Sequence, residues 1–458
     1  MKTTNTIPKT ARRAISAALG LLFALCAGAS GAMDLVAAYQ QALHNDPTSL
    51  AANEALAAGH EKAVQGDALL RPQVALQTKL SRIHDHSTGE APAAFAAVMP
   101  KDSTGTARQA TLQVVQPLYD RAAGASKRQL HEQSTLAATQ FEQARQDLVL
   151  RVAQAYFGVV VAEEALRVVR SEQAAVQQQH DRAKARFDIG HGKITDVQEA
   201  RARLDGVEAR EVSAKSTFEL RQAQFRETIG ADPARLATLA PSFAPRLPEP
   251  NQLRAWQAKG EEQNSLVKTR RSELEVAGAE IDKHRLAGRP TLDLVGSYSA
   301  RGQSGSLSPL VAPNGERTAM VGLQLNIPLY AGGGLDSRER EAGAKKRQAE
   351  QELAAARRDV RLQVQDGFLA VTTGVWRIAA LKQALVSARS ALEATTLGRD
   401  VGTRTELDVL DAQQRMFAAE LDLIQARVDY LLGRLRLAAA AGELSEDSLR
   451  TLGAWLAS

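Results

Sequence analysis

The sequence predicts a mixed α and β membrane protein made of two internal structural repeats, each with two strands and one long helical hairpin. Three observations predict this class. A segment typical of secretion begins the chain, strands with one apolar face occur in pairs, and glycine-containing turns interrupt two long helical patterns at equivalent positions. A soluble helical protein would explain only the last of these.

Residues 1–32 have the composition of a secretory signal peptide. Four basic residues and no acidic residue accompany an apolar run over 14–27, and the small residues that follow allow cleavage after Ala29 or Ala32. Cleavage lowers the formal net charge from +5 to +1, which removes the main support for nucleic-acid binding. It also removes Cys26, the single cysteine of the chain, so the mature chain has no disulfide and no cysteine-ligated metal.

The first repeat is predicted over residues 33–230. Short helices come first, and strands at about 72–83 and 108–119 follow, because apolar residues alternate with polar ones there. A helical pattern then continues for about seventy residues, or roughly 100 Å. It turns near 190–196, where Gly190 lies, and a second helical pattern returns to Gly230.

A proline-rich linker is predicted over residues 231–252, since it holds five of the chain's 15 prolines. The second repeat, over 253–440, has the same order: a helix, strands at about 290–300 and 318–330, and a helical hairpin. The tip of this hairpin is predicted near 402–408, beside Gly402, and residues 441–458 form a C-terminal tail.

Two sequence matches indicate the duplication. The segment 189–200 aligns with 401–412 at a shift of 212 residues, which places Gly190 on Gly402 and Asp196 on Asp408. The tripeptide Pro-Leu-Tyr ends the second strand of each half, at 117–119 and at 328–330. Matches at equivalent places in both halves predict two structural repeats.

Four strands with an apolar face cannot close a β-barrel alone, and exposed strand edges beside that face would aggregate. Three chains would supply twelve antiparallel strands, with apolar side chains facing membrane lipid and polar side chains facing inward. The sequence therefore predicts a homotrimeric, twelve-stranded barrel. The expected inward residues are Gln73, Gln77, Lys79, Asp293, Ser297, Gln324 and Asn326.

Asp408 and Asp411 lie three residues apart, so they share one face near the start of the returning helix. Thr405 and Asp408 have the spacing of a capping box, and acidic residues in a first helical turn are favoured by the helix dipole. The spacing alone leaves two hypotheses open, a helix cap and a functional acidic site.

Taken together, these features resemble the TolC-like outer-membrane export ducts. The residues that carry the resemblance are the duplicated Gly-x(5)-Asp-Val turn, the opening 34–47, the Pro-Leu-Tyr strand ends, the stretch 401–412 and the tail 442–449. It covers essentially the whole mature chain. The resemblance implies a homotrimeric barrel in the outer membrane, continuous with a twelve-helix coiled-coil tunnel in the periplasm.

The resemblance also implies partners and an activity. Such a duct works with a periplasmic adaptor (membrane fusion) protein and with an inner-membrane ABC exporter or proton-driven pump. It exports substrates in type I protein secretion or in multidrug efflux. The sequence carries no substrate signature, because the adaptor and the transporter select the cargo.

By the same resemblance, Asp408 and Asp411 fall on acidic rings at the periplasmic entrance, and Arg404 and Asp196 fall on bonds that hold the entrance shut. The position five residues before the gate arginine is commonly tyrosine, and here it is Arg399. Arg399 could pair with the two aspartates or repel Arg404, and the sequence leaves both possibilities open.

Two other classes of protein fit less well. A cytosolic or periplasmic coiled-coil scaffold without channel activity explains the helical repeats, but not the signal peptide or the strands. An enzyme would need a nucleophile elbow, a phosphate loop or a metal motif, and the sequence shows none of them. His84 and His86 form the one close histidine pair, in a predicted external loop. No catalytic residue, cofactor or metal site is predicted.

Overall fold

The computed structural model describes residues 32–86, 88, 102–232, 235–240, 243–305 and 315–457. The predicted signal peptide lies outside the described residues except for Ala32, and so does much of the loop between the two strands of each repeat. Among the described residues, no helix has an apolar stretch long enough to cross a membrane.

In the first half of the chain, two short helices precede two strands and a long helical hairpin. These elements are α1 (Leu35–Asn45), α2 (Pro47–Ala68), β1 (Gln73–His86), β2 (Asp102–Tyr119), α3 (Arg121–Asp188) and α4 (Ile194–Ile229).

The second half of the chain has the same order of elements after a short strand. It contains β3 (Thr238–Leu239), α5 (Leu253–Gln263), α6 (Ser265–Leu286), β4 (Thr291–Gly305), β5 (Gly315–Asn326), α7 (Gly334–Asp400), α8 (Glu406–Ala440), α9 (Glu446–Gly453) and β6 (Leu456–Ala457).

Aspartates begin three of the helices of the first half. The carboxylate of Asp34 accepts a hydrogen bond from the backbone N–H of Ala37 at 2.7 Å at the start of α1. Asp46 caps α2 in the same way, with Pro47 in the first turn, and Asp120 caps α3. These caps satisfy N–H groups that have no partner inside the helix, so the sequence itself determines where the helices start.

The four longer strands form one antiparallel sheet in the order β1-β2-β4-β5, which leaves β1 and β5 as edges. The register sets Val74 opposite Val114, and Leu294 opposite Leu323. Residues that face each other across antiparallel strands lie on the same side of the sheet. One side is therefore apolar, and it is exposed: Leu80 is 77% exposed and Val321 is 79% exposed.

Some strand ends differ from those expected. β1 continues beyond residue 83, and β2 begins before residue 108, because the pairing continues until His86 lies opposite Asp102. The side chains of His86 and Asp102 form a hydrogen bond at 2.6 Å. β4 likewise extends to Gly305. β5 ends at Asn326 rather than near 330, since Pro328 has no N–H to donate to a strand ladder.

The main core lies where the two hairpins meet α1 and the segment 235–246. Tyr156 of α3 is fully buried, and its hydroxyl donates to the carbonyl oxygens of Met33 at 3.0 Å and Ala237 at 2.9 Å. Burial raises the pKa of Tyr156, so it stays a neutral donor. The hydroxyl of Tyr430 on α8 accepts a hydrogen bond from the backbone N–H of Arg246 and donates one to its carbonyl oxygen.

The described residues of the predicted linker over 231–252 are therefore packed onto the helices rather than extended from them. It also supplies β3, which pairs with β6 in the predicted tail to form a two-stranded antiparallel sheet. The proline content indicated a break in helical structure, but two-residue strands have no periodicity that a sequence pattern could reveal.

Candidate functional site at the helical tips

Both hairpins turn through the same backbone conformation. Gly190 and Gly402 adopt φ angles of 78° and 83°, a left-handed conformation that glycine adopts without strain. In each turn, the N–H of the next residue donates to the carbonyl five residues back, at 2.8 Å. This is a Schellman C-cap, and it reverses the chain tightly enough for the next helix to begin within a few residues.

Asp408 caps α8. Its backbone N–H donates to the Thr405 hydroxyl at 3.1 Å, and its carboxylate accepts from the N–H of Thr405 at 2.8 Å. These bonds to Thr405 hold the pKa of Asp408 below its ordinary value, with smaller contributions from Arg404 and Arg415. The capping box expected from the spacing is thus present, and the carboxylate remains ionised.

Asp196 occupies the equivalent position in the first turn of α4, where Lys193 supplies no side-chain cap. Arg404 is exposed in the turn, and its backbone N–H donates to the carbonyl of Gly398 at 3.1 Å. Among the ion pairs between described residues, none joins Arg404 to Asp196 within the chain. A role for these two residues in closing an entrance stays a prediction.

Arg399 is the buried centre of the tip region, with only 6% of its side chain exposed. Its guanidinium donates to the side-chain oxygen of Gln179 on α3 at 2.9 Å and to Asp400 at 2.7 Å. The carboxylate of Glu406, itself 8% exposed, lies 3.4 Å away. The side chain therefore joins the end of α7, the start of α8 and the neighbouring hairpin.

The partners of Arg399 differ from the two aspartates that the sequence suggested. Arg399 pairs with Asp400 and Glu406, and forms no ion pair with Asp408 or Asp411. The sequence analysis missed Glu406 and Gln179. Glu406 could have been considered from its position across the turn, but Gln179 is 220 residues away in the chain and no sequence pattern indicated it.

Asp411 forms a different link between the hairpins. Its half-exposed carboxylate lies 2.5 Å from the guanidinium of Arg203 on α4, which also bonds Gln414. A second, longer ion pair between the hairpins joins Arg186 and Asp400 at 3.9 Å. Arg203 was not among the predicted site residues. Its pairing neutralises much of the Asp411 charge, so Asp408 and Asp411 are electrostatically unequal.

Apolar packing supports these polar contacts. Leu410 of α8 is 1% exposed and packs with a cluster from the first hairpin. The other members of this cluster are Val169, Val176, Ala200, Leu204 and Val207. The tip of the second hairpin thus contacts the first through one buried leucine, one buried arginine and two ion pairs.

The family model described as outer membrane efflux protein matches residues 38–231 and 259–443. The chain belongs to this family. The two matched segments correspond to the two halves that carry the strand pairs and the hairpins. The family is a transport family rather than a class of enzymes.

Relatives across the outer membrane efflux family match nearly the whole chain. Outer membrane protein TolC of Vibrio cholerae serotype O1 is 34% identical over 444 residues, which cover 96% of this chain and 97% of the relative. Alkaline protease secretion protein AprF of Pseudomonas aeruginosa is 28% identical over 448 residues, covering 97% and 92%.

Solved structures show the same fold. The CmeC outer membrane channel of Campylobacter jejuni superimposes with a TM-score of 0.76 at 17% identity, over 91% of this chain and 88% of that one. The predicted mixed α and β fold class is confirmed. Family membership also confirms the outer-membrane location and the role as an export channel, and it does not favour the coiled-coil scaffold.

Proposed function

We propose that three copies of the chain assemble into one export duct. The observation that carries this proposal is the four-stranded sheet with two unpaired edges and an exposed apolar face. Unpaired strand edges promote aggregation, and pairing β5 of one chain with β1 of the next removes these edges. Twelve strands would close into a barrel whose apolar side contacts lipid.

The other side of the sheet supports a water-filled lumen. The register places Gln77, Thr111, Ser299 and Thr318 in one row across all four strands. The next row towards the loops contains Lys79, Gln109, Arg301 and Glu316. Polar and charged side chains in such rows suit the passage of hydrated substrates.

The helical hairpins would continue this lumen into the periplasm. At about 1.5 Å per residue, α3 and α7 are each roughly 100 Å long. Four long helices from each of three chains would make a twelve-helix tunnel. In this assembly, residues 33–230 and 253–440 act as two repeats around the tunnel wall, joined by the segment 231–252.

The tips would form the periplasmic entrance, and the contacts of Arg399 would hold it closed. Opening then requires the second hairpin to leave the first, which breaks the bonds of Arg399 to Gln179 and of Asp411 to Arg203. Because both links cross between hairpins, a partner that separates the tips would open the duct.

The partners proposed are a periplasmic adaptor protein and an inner-membrane ABC exporter or proton-driven pump. Relatives named for protease secretion and for efflux both match this chain. These names support secreted proteases and the substrates of efflux as cargo equally, since one duct can serve either transporter.

Assembly is tested on the purified mature protein in detergent. Three mature chains should give a complex of about 140 kDa by native mass spectrometry, as expected for a symmetric homo-oligomer. A monomer that remains soluble without detergent would contradict the barrel, because its apolar sheet face would then be stable in water.

A second prediction concerns charge at the entrance. Replacing both Asp408 and Asp411 by asparagine should lower the cation-to-anion permeability ratio by about tenfold and relieve block by multivalent cations. Threefold symmetry would otherwise gather these carboxylates in a narrow ring. Asparagine retains capping ability, so the trimer should remain intact. Planar-bilayer recordings measure both properties.

The matched control is Asp422→Asn, which removes an exposed carboxylate further along α8. Arg203→Gln should raise the cation-to-anion permeability ratio, because it leaves the charge of Asp411 without its ion-pair partner. Wild-type selectivity and block in the double variant would leave Asp408 with a capping role alone and Asp411 with its ion pair.

A further inference from the structure

Three arginines lie on the apolar side of the sheet. Leu80 is opposite Arg108, and Ala300 is opposite Arg317, so both arginines share the side of the exposed leucines and valines. Arg82 follows Leu80 by two positions, which places it on the same side. All three side chains are exposed. We name Arg82, Arg108 and Arg317 the outward arginine rim.

The outward arginine rim lies near the ends of the strands that are far from the helices. β1 leads away from α2, and β5 leads towards α7, so Arg82 and Arg317 are both distant from the hairpins. From Leu325 to Arg317 the strand covers about 26 Å, or roughly 20 Å across the membrane at the usual tilt. The rim therefore lies at the far edge of the apolar band, at the level of headgroups in the outer leaflet.

Arg108 lies across a position that has no side chain. A Cβ atom built on Gly302 would be 2.7 Å from the Nε of Arg108 and 3.3 Å from its Cγ. Gly302 has no positive φ that would require glycine. The absence of a side chain at Gly302 leaves room for the guanidinium of Arg108 in this position, and a side chain there would make the guanidinium shift.

The outward arginine rim has no protein counter-charge among the described residues. None of its three arginines forms a salt bridge or a side-chain hydrogen bond with another described residue, and the nearby acid Asp102 is paired with His86. On the opposite side of the sheet, Arg301 lies opposite Glu316. An unpaired guanidinium beside hydrocarbon is unfavourable, so an anion from the membrane is its natural partner.

We propose that the outward arginine rim binds the phosphate groups of lipid headgroups in the outer leaflet. Guanidinium groups bind phosphate through two parallel hydrogen bonds, which lysine cannot make. Arg82 and Arg108 are diagonal neighbours across two strands, about 7 to 8 Å apart at the backbone, so both can reach one headgroup. This inference rests on the trimeric barrel proposed above.

The test uses the purified mature protein in neutral detergent with phosphatidic acid or phosphatidylcholine as the probe. Native mass spectrometry should show that trimers retain phosphatidic acid about tenfold more than phosphatidylcholine, because its phosphate is open to bidentate bonds. The triple variant Arg82→Gln, Arg108→Gln, Arg317→Gln should retain both lipids equally. The inward double variant Lys79→Gln, Arg301→Gln should keep the wild-type preference, although it also loses positive charge at the same level.

Arg108→Gln alone should lower the preference by about threefold, and it provides the test if the triple variant fails to assemble. Wild-type preference in the triple or the single variant would overturn the proposal. So would displacement of the lipid by inorganic phosphate at an equal concentration, which would indicate a site for free anions. Trimers without a lipid preference contradict this inference alone, whereas the absence of trimers contradicts the barrel.

Discussion

Leu323→Arg is expected to abolish insertion of the assembled protein into the outer membrane. Leu323 is 67% exposed near the middle of the apolar side of the sheet, opposite Leu294. An arginine on the lipid-facing side of a barrel costs about 2 to 4 kcal/mol at the bilayer midplane. The proposed threefold symmetry would place three such charges in one barrel, so the free-energy cost per barrel would be three times larger.

The neighbouring residue supplies the control for this prediction. Gln324→Arg adds the same charge on the opposite side of the sheet, opposite Asp293, and should assemble and insert like the wild type. Fractionation of membranes and urea-dependent unfolding in lipid measure the two variants. Equal insertion of both variants would show that the exposed apolar side does not contact hydrocarbon.

Arg399→Ser is expected to open the entrance and to raise single-channel conductance severalfold in planar bilayers. The substitution leaves the buried carboxylate of Glu406 without its guanidinium and removes the bond to Gln179 on the other hairpin. Removing one partner of a buried ion pair typically costs about 3 to 5 kcal/mol, and this loss falls on the turn of the second hairpin. The lost bond to Gln179 falls on the contact between the two hairpins.

Two control variants test whether the rise in conductance comes from the lost contacts of Arg399. Arg377→Ser removes an arginine from the same helix, but its ion pair with Asp429 spans 3.9 Å at a half-exposed site, so conductance should not change. Adding Glu406→Gln to Arg399→Ser should restore stability, because it removes the buried unpaired charge. It should not restore closure of the entrance, because it does not replace the lost bond to Gln179.

Arg404→Ser extends this comparison, since Arg404 lies exposed in the turn. A rise in conductance for Arg404→Ser would support its expected place in the bonds that close the entrance. Wild-type conductance in both Arg399→Ser and Arg404→Ser would remove the gating role from the tip region.

Much of the fold follows from local sequence. Glycine at 190 and 402 permits the left-handed backbone of each tip, and aspartates at 34, 46 and 120 begin helices by capping them. Alternation of apolar and polar residues indicated the strands and their two sides. These features depend on neighbours a few residues apart, which a single sequence displays directly.

Local sequence patterns did not predict the ends of the strands or the short sheet of β3 and β6. The last residues of β1 lie in a polar stretch, and they remain in the strand because β2 pairs with them as far as Asp102. The β3–β6 pairing joins segments more than 200 residues apart. A strand of two residues owes its existence to its partner rather than to its own composition.

The sequence by itself determined the two helical hairpins, their glycine tips, the four strands with an apolar side and the acids at the start of α8. Only the tertiary structure decided which polar side chains meet there: Arg399 with Gln179 and Glu406, and Asp411 with Arg203. The physical reason is that helical periodicity fixes which residues share a face, but not how two hairpins are rotated and shifted against each other. That arrangement is set by packing such as the insertion of Leu410 between the helices of the first hairpin, and it selects the side chains that bond from one hairpin to the other at the tips.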